Sequence, residues 1–360
     1  MAETQRYNVL DTYRYFAAIG VVIYHFEANF QQFLKSPTDA LHSFHLLVDF
    51  FFVLSGFVLM HTYGGRIKSW DDFRAFMRKR LARVYPLHLV TTLVFVALAL
   101  IVKVYALPTN HPETLDLGLT PSHLLLVHAW GLSDHPGLNF ASWSISSELF
   151  VYLLFPVFAY ILARLGGWKT LILAVAFALA MTLVRNALGL RTWTQATFDF
   201  GNLRAVPTFL IGMAIYVLVS QAPTRRLSWF WPHLYALALV VLMLWRVNDL
   251  IIVALVPGLI ALLALAERGG APTVLGNRFF HTLGDASYGV YMIHAIVINL
   301  MLVVLRKTGW ISEAQLVAAL VVGCVLTTVL AIYSFHWFEN PMRRWLGRAP
   351  QKAEGKTADV

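Results

Sequence analysis

Two side chains near the start of the chain, Arg14 and His25, fall on one face of an apolar stretch. Eleven residues at about 100° each bring a helix round three turns plus roughly 20°, so both project the same way, about 16 Å apart in rise. In hydrocarbon such a pair is costly and should face a polar interior. There a histidine can take a proton from an attacking hydroxyl, and an arginine can orient a donor or stabilise developing negative charge. A snorkelling arginine and a satisfied interfacial histidine account for the same pair about as well. Arg80 and Arg83, inside Met77-Arg78-Lys79-Arg80-Leu81-Ala82-Arg83-Val84-Tyr85-Pro86, are i, i+3 neighbours. Two guanidinium forks at that spacing can clamp a pyrophosphate. Plain topogenic charge is the competing explanation, although it requires only basicity and would accept lysine.

Four more groups carry polar chemistry in apolar surroundings. Trp143-Ser144-Ile145-Ser146-Ser147-Glu148 opens a span, and its carboxylate is either an ordinary interfacial acid or a site group. Ser287, Tyr291 and His294, with Tyr288 beside them, form an i, i+4, i+7 stripe that suits helix–helix contact as well as a substrate site. Glu339-Asn340-Pro341 ends the last span with an acid and a helix-stopping proline. Asp49 lies at a depth similar to His25, where it could fix the histidine tautomer or serve as an interfacial acid. The single cysteine, Cys324, excludes an intramolecular disulfide. No zinc spacing is present, so no metal is expected.

The elements that must position these residues are membrane spans. The chain has 360 residues, 58% hydrophobic and only 13% charged, with a mean hydropathy of +0.65. Soluble domains carry roughly a quarter charged residues. The 11 tryptophans suit interfacial belts. Ten stretches are apolar over a span-like length, at 10–30, 43–63, 84–106, 146–164, 168–187, 203–220, 229–247, 249–266, 285–305 and 314–337. Ser122–Trp130 is too short and reads as a re-entrant or interfacial segment. The first stretch lacks a small-residue cleavage site and reads as a retained span rather than a signal peptide. With the N-terminus inside, 19 of the 28 Lys and Arg fall on the inner side and eight on the outer. That asymmetry follows the positive-inside rule and places both termini in the cytoplasm. It also accounts for the net charge of +9 without nucleic acid. The expected architecture is therefore an all-α polytopic membrane bundle over residues 1–345. A polar, disordered cytoplasmic tail is expected over 346–360.

Taken in order, these segments resemble the acyltransferase 3 family of integral membrane acyltransferases. The matching pieces are Leu10-Asp11-x-x-Arg14 with Ala17-Ala18 and His25; Asp49-Phe50-Phe51-Phe52-Val53-Leu54-Ser55-Gly56-Phe57; and Arg80-x-x-Arg83-x-Tyr85-Pro86. They continue with Trp143-Ser144-Ile145-x-x-Glu148 and Phe155-Pro156; Arg204-x-x-Pro207-x-Phe209-x-x-Gly212; Ser287-Tyr288-x-x-Tyr291-x-x-His294; and Glu339-x-Pro341. The resemblance implies a ten-span bundle, an acyl-CoA donor, usually acetyl-CoA, and an extracytoplasmic hydroxyl acceptor. It implies catalytic roles for Arg14 and His25 and donor contacts at Arg80 and Arg83. Trp143, Glu148, Asp49, Tyr288 and His294 are the candidate substrate-binding residues. Some family members carry a fused esterase-like domain after the membrane unit; this chain is expected to act without one, so a second transfer step would need a separate protein.

The expected function is O-acylation of a cell-envelope glycan or glycolipid from acetyl-CoA in the inner membrane, with lipids and polysaccharide-biosynthesis proteins as partners. His25 would act as general base, or form an acyl-histidine intermediate. A carrier or flippase for a glycan is the alternative, since buried Arg, His and Asp also mark transport pathways. Its usual internal repeat is not evident in the sequence.

Overall fold

A computed structural model of the chain describes residues 7–34, 39–106 and 112–348. Lys35 and the tail from residue 349 onward lie outside the described residues. The described residues form helices and connecting loops with no strand. The helices in chain order are α1 (Asn8–Phe30), α2 (Leu47–Tyr63), α3 (Trp70–Val104), α4 (Thr120–Leu124), α5 (Trp143–Ala187), α6 (Gly201–Gln221), α7 (Phe230–Leu244), α8 (Asp249–Arg268), α9 (Arg278–Thr308), α10 (Glu313–Ser334) and α11 (Asn340–Leu346).

Seven helical segments among the described residues are long and apolar enough to cross a membrane. One of them, Phe140–Ala187, covers two of the stretches expected from sequence. It folds back at Gly166, whose φ of 74° and ψ of 171° are open to glycine and strained for other residues. Both ends of α5 reach the start of α6: Trp143 lies against Gly201, and Arg185 donates to Asp199 at 2.6 Å. The bend itself lies near the far end of α6, where Gly167 meets Leu218. The two halves of α5 are thus antiparallel. α7 has only 15 residues, short of the roughly 20 a span needs. α1 has 23 but carries Asp11, Arg14, His25 and Glu27.

α3 begins earlier than the expected 84, because Ser69 and Asp72 form a capping box ahead of it. Its 35 residues rise about 50 Å, more than a hydrocarbon core of about 30 Å. The basic run Arg74–Arg83 therefore sits on an extension of the span rather than in a loop. The short Ser122–Trp130 segment contributes α4 and an irregular loop buried against α3 and α5. Side chains satisfy its backbone: Tyr85 donates to the Leu124 carbonyl at 3.1 Å, and Ser146 donates to Leu126 and accepts from the Ala129 N–H. Irregular backbone at membrane depth is tolerated only where protein replaces water in this way.

One end of the bundle gathers the segments that the charge asymmetry grouped together. The start of α1 meets the end of α8, with the Asn8 N–H donating to Glu267 at 2.6 Å. Arg268 donates to the Val219 carbonyl near the end of α6. Gly284, near the start of α9, abuts Asp11, so that a Cβ there would lie 2.6 Å from its carbonyl oxygen. α11 packs on α3. The opposite end joins the other loops, through His45 and Asp249 at 3.6 Å and Arg306 and Gln32 at 2.8 Å.

α2 and α6 cross with their backbones nearly touching. Gly56 faces the Phe209 carbonyl and Gly212 faces the Val53 carbonyl, and a methyl at either would overlap the other helix. Small residues permit such close crossings between membrane helices.

Candidate functional site

A cavity of about 120 Å³ opens among α1, α2, α3, α5 and α9. Its charged lining comprises Arg14, Arg80, Arg83 and Glu148. Ser55, Ser144, Tyr152, Ser287, Tyr288 and Tyr291 complete its polar wall. Each arrives by simple helical register. Arg80 and Arg83 share a face of α3, while Glu148 and Tyr152 are i, i+4 on α5. Glu148 Oε1 accepts from Ser55 Oγ at 2.9 Å and from the Tyr152 hydroxyl. The Arg80 guanidinium carbon lies 5.6 Å from the Tyr63 ring centre and 5.8 Å from that of Tyr152, within cation–π range. Arg14 Nη1 donates to Asp11 Oδ1 at 3.2 Å. The Tyr288 hydroxyl donates to the Val84 carbonyl at 2.5 Å, tying α9 to α3.

Toward one end of the bundle the cavity meets a basic bowl that shares Arg80 and Arg83 with it and adds Lys79, Arg343, Arg344 and Arg348. Glu339 stands beside the bowl, in a recess lined also by Arg83 and Tyr288. A π-helical turn over Phe335–Glu339 carries this residue, which is buried and accepts from Ser334 Oγ at 2.8 Å. Such turns are frequent at functional sites.

Tyr291, which lines the cavity, has its ring centre 5.8 Å from that of His294. His25 does not line the cavity; its Nδ1 lies 3.0 Å from His294 Nε2, with ring centres 5.0 Å apart. His294 Nδ1 is 2.6 Å from the Tyr291 carbonyl, which can only accept. With both rings neutral, the proton of His294 is therefore on Nδ1 and its Nε2 accepts. His25 must then donate from Nδ1, which leaves the lone pair on its Nε2 free to act as a base. The Phe140 ring, 5.1 Å from that of His25, and Tyr24, at 4.9 Å, flank it.

The other candidates fall elsewhere. Asp49 does not reach His25; it binds Arg204, with contacts of 2.6 Å and 3.2 Å, and both residues are almost fully buried. Trp143 is also buried, its ring centre 5.1 Å from the Arg204 guanidinium. These three tie α2, α5 and α6 together and stand outside the cavity. Glu148, expected at an outer entrance, lines the cavity alongside Arg80. His294, a candidate substrate contact, lies 3.0 Å from His25. Sequence reasoning did not single out Ser55 and Tyr152 as partners of Glu148; Tyr152's i+4 spacing was the available signal. In the sequence Arg343, Arg344 and Arg348 count only toward the inner-side charge, because nothing in the pattern shows that α11 packs on α3.

Among the described residues, one group of side chains could converge on a cation. Ligand atoms of Asp11, His281 and Asp285 lie within 4.8 Å of one another. Asp11 is already paired with Arg14, and His281 Nδ1 lies 3.3 Å from Asp285.

A family model described as an acyltransferase domain matches residues 7–336. The chain belongs to the acyltransferase 3 family. Over 93% of its length it is 29% identical to acyltransferase MdmB of Streptomyces mycarofaciens, covering 91% of that protein. It is 32% identical to protein 2 in the picA locus of Rhizobium radiobacter, over 49% of this chain and 94% of that one. A putative peptidoglycan O-acetyltransferase, YrhL of Bacillus subtilis strain 168, is 24% identical over 93% of this chain, which spans 54% of YrhL. No solved structure matches the chain. The family makes this a multi-pass membrane protein and an acyl-transferring enzyme, and the cavity and histidine pair are its candidate active site.

Proposed function

We propose that this enzyme moves an acetyl group from acetyl-CoA to a hydroxyl of an extracytoplasmic carbohydrate or glycolipid, such as exopolysaccharide or lipopolysaccharide. It would do so from the cytoplasmic membrane, with ten passages and both termini in the cytoplasm. The observation that carries this reading is the polarity of the site along the bundle. A bowl of arginines at one end leads through a narrow cavity toward a histidine base beyond its other end. The glycan class is also supported by a relative named as a putative peptidoglycan O-acetyltransferase.

In this mechanism the nucleotide stays in the basic bowl and the acyl arm enters the cavity past Arg80 and Arg83. The acceptor hydroxyl approaches from the His25 side. His25 Nε2 removes its proton as the oxygen attacks the thioester carbonyl. Arg14, which lines the cavity, orients the donor arm. The tetrahedral intermediate collapses, the carbon–sulfur bond breaks, and the departing thiolate takes the proton from His25. Ester and free thiol are the products. Movement of Tyr291 or of the donor arm must close the remaining gap, because Tyr291 lines the cavity with its ring 5.8 Å from that of His294 while neither histidine lines it.

Sealed, oriented proteoliposomes test this. Acetyl-CoA is placed on the face bearing the bowl, and a membrane-impermeant glycan on the opposite face. Acetylation of that glycan is the expected result. Transfer only when both substrates share the bowl-side compartment would defeat the through-membrane reading and leave a site that acylates before export.

A further inference from the structure

The basic bowl holds more positive charge than a pyrophosphate alone requires. Lys79, Arg80, Arg83, Arg343, Arg344 and Arg348 line a space of about 460 Å³. Among the described residues none of the six forms an ion pair with a carboxylate. Arg343 donates to the Asn340 side chain at 3.1 Å, a neutral partner. Six like charges facing one space repel one another; Glu339, in the recess it shares with Arg83 and Arg343, offsets only part of this, and a multivalent anion relieves the rest. α11 is held in position by the π-helical turn before it and by its packing on α3.

The cations are also ordered in depth. Arg80 and Arg83 line both cavity and bowl, whereas Arg344 and Arg348 line the bowl alone and Arg343 the bowl and its side recess. A coenzyme A thioester is ordered the same way: acyl group, pantetheine arm, pyrophosphate, then a ribose bearing a 3′-phosphate. With the acyl end in the cavity, the pyrophosphate falls at the Arg80–Arg83 junction. The 3′-phosphate then lies one ribose farther out, among the α11 arginines. A phosphopantetheine carrier would bring one phosphate and leave that outer group unused.

We propose that Arg343, Arg344 and Arg348 bind the 3′-phosphate of the donor and select 3′-phosphorylated coenzyme A thioesters over dephospho ones. This site rests on the acyl-CoA reading above. An anionic lipid headgroup offers the same phosphate chemistry, and the test must separate the two sources.

The test uses the full-length protein in nanodiscs of phosphatidylcholine only, with acetyl-CoA and acetyl-3′-dephospho-CoA as donors. Wild type is expected to prefer acetyl-CoA by about tenfold or more in kcat/KM, as loss of a charge-assisted contact implies. In the triple variant R343A/R344A/R348A that ratio should fall to within about twofold, and inhibition by 3′,5′-ADP should weaken in parallel. Equal use of both donors by wild type defeats the 3′-phosphate assignment and leaves the acyl-CoA reading standing. So does a triple variant that keeps the wild-type ratio. A lipid site would show no donor discrimination in phosphatidylcholine, with activity responding instead to added phosphatidylglycerol, and this also overturns the proposal. Failure of both thioesters to bind wild type, read by calorimetry in the same nanodiscs, defeats the donor reading itself and the site with it.

Discussion

Truncating His294 to alanine should separate the orientation of His25 from its proton transfer. The hydrogen bond removed is the 3.0 Å contact from His25 Nδ1 to His294 Nε2, a neutral pair. Such bonds contribute about 0.5–1.5 kcal/mol net, and 1.4 kcal/mol is tenfold in rate. His294→Ala is therefore expected to slow transfer by about 2- to 13-fold, because His25 can then turn or change tautomer. His25→Ala removes the base itself and should cost about 10²- to 10⁴-fold. If His294 acts only through His25, the double variant should be no slower than His25→Ala alone, which a double-mutant cycle reads as coupling. His294→Gln, whose amide oxygen can accept from His25, should recover part of the rate. The assay is the initial rate of acyl transfer in nanodiscs at matched amounts of folded protein, with thermal unfolding followed alongside. A double variant much slower than His25→Ala would refute the orientation argument. So would a His294→Ala enzyme as slow as His25→Ala.

The other expectations are more compact. Arg80→Lys and Arg83→Lys keep charge but lose the guanidinium fork, so each should raise KM for acetyl-CoA with membrane insertion intact; unchanged donor kinetics in both would return them to topogenic charge. Asp49→Ala strands the buried Arg204, which typically costs about 3–5 kcal/mol, and its thermal unfolding midpoint in detergent should drop sharply; a wild-type midpoint would show that the pair is not structural. His135 sits 2.5 Å from Asp134 and 3.1 Å from Asp116, and its hydrogen bond to Asp134, opposed in part by desolvation, raises its pKa above the usual histidine value. A raised folded-state value means that the added stability is full below the ordinary 6.5 and is lost as pH rises through the raised value. Hydrogen exchange in the 112–142 segment should accelerate modestly on that rise, and His135→Gln should abolish the change; a pH-independent wild type would sink it. For topology, cysteines at positions 35 and 110 should label from outside and those at 70 and 355 should not; outside labelling at 70 would invert the orientation.

Much of this protein was legible in residue order alone. Apolar length marks the helices, because a backbone in lipid must satisfy its own hydrogen bonds. The break between the apolar stretches 146–164 and 168–187 corresponds to the fold-back in α5, and the structure places it at Gly166, a conformation few other residues adopt. The charge asymmetry grouped the loops that do gather at one end of the bundle. The i, i+3 spacing of Arg80 and Arg83 put both on one face, and both line the cavity. Motif order was enough to name the family, including Gly56 and Gly212, whose reason is steric and appears only where α2 crosses α6. Partners across helices were not legible. The sequence suggests a similar depth for Asp49 and His25, yet Asp49 is claimed by Arg204, 155 residues away in sequence. The partner of His25 is His294, on α9. Periodicity fixes the face a side chain occupies and its height along the axis. Which neighbour that face meets depends on how the helices pack around one another, and only the tertiary structure decides that.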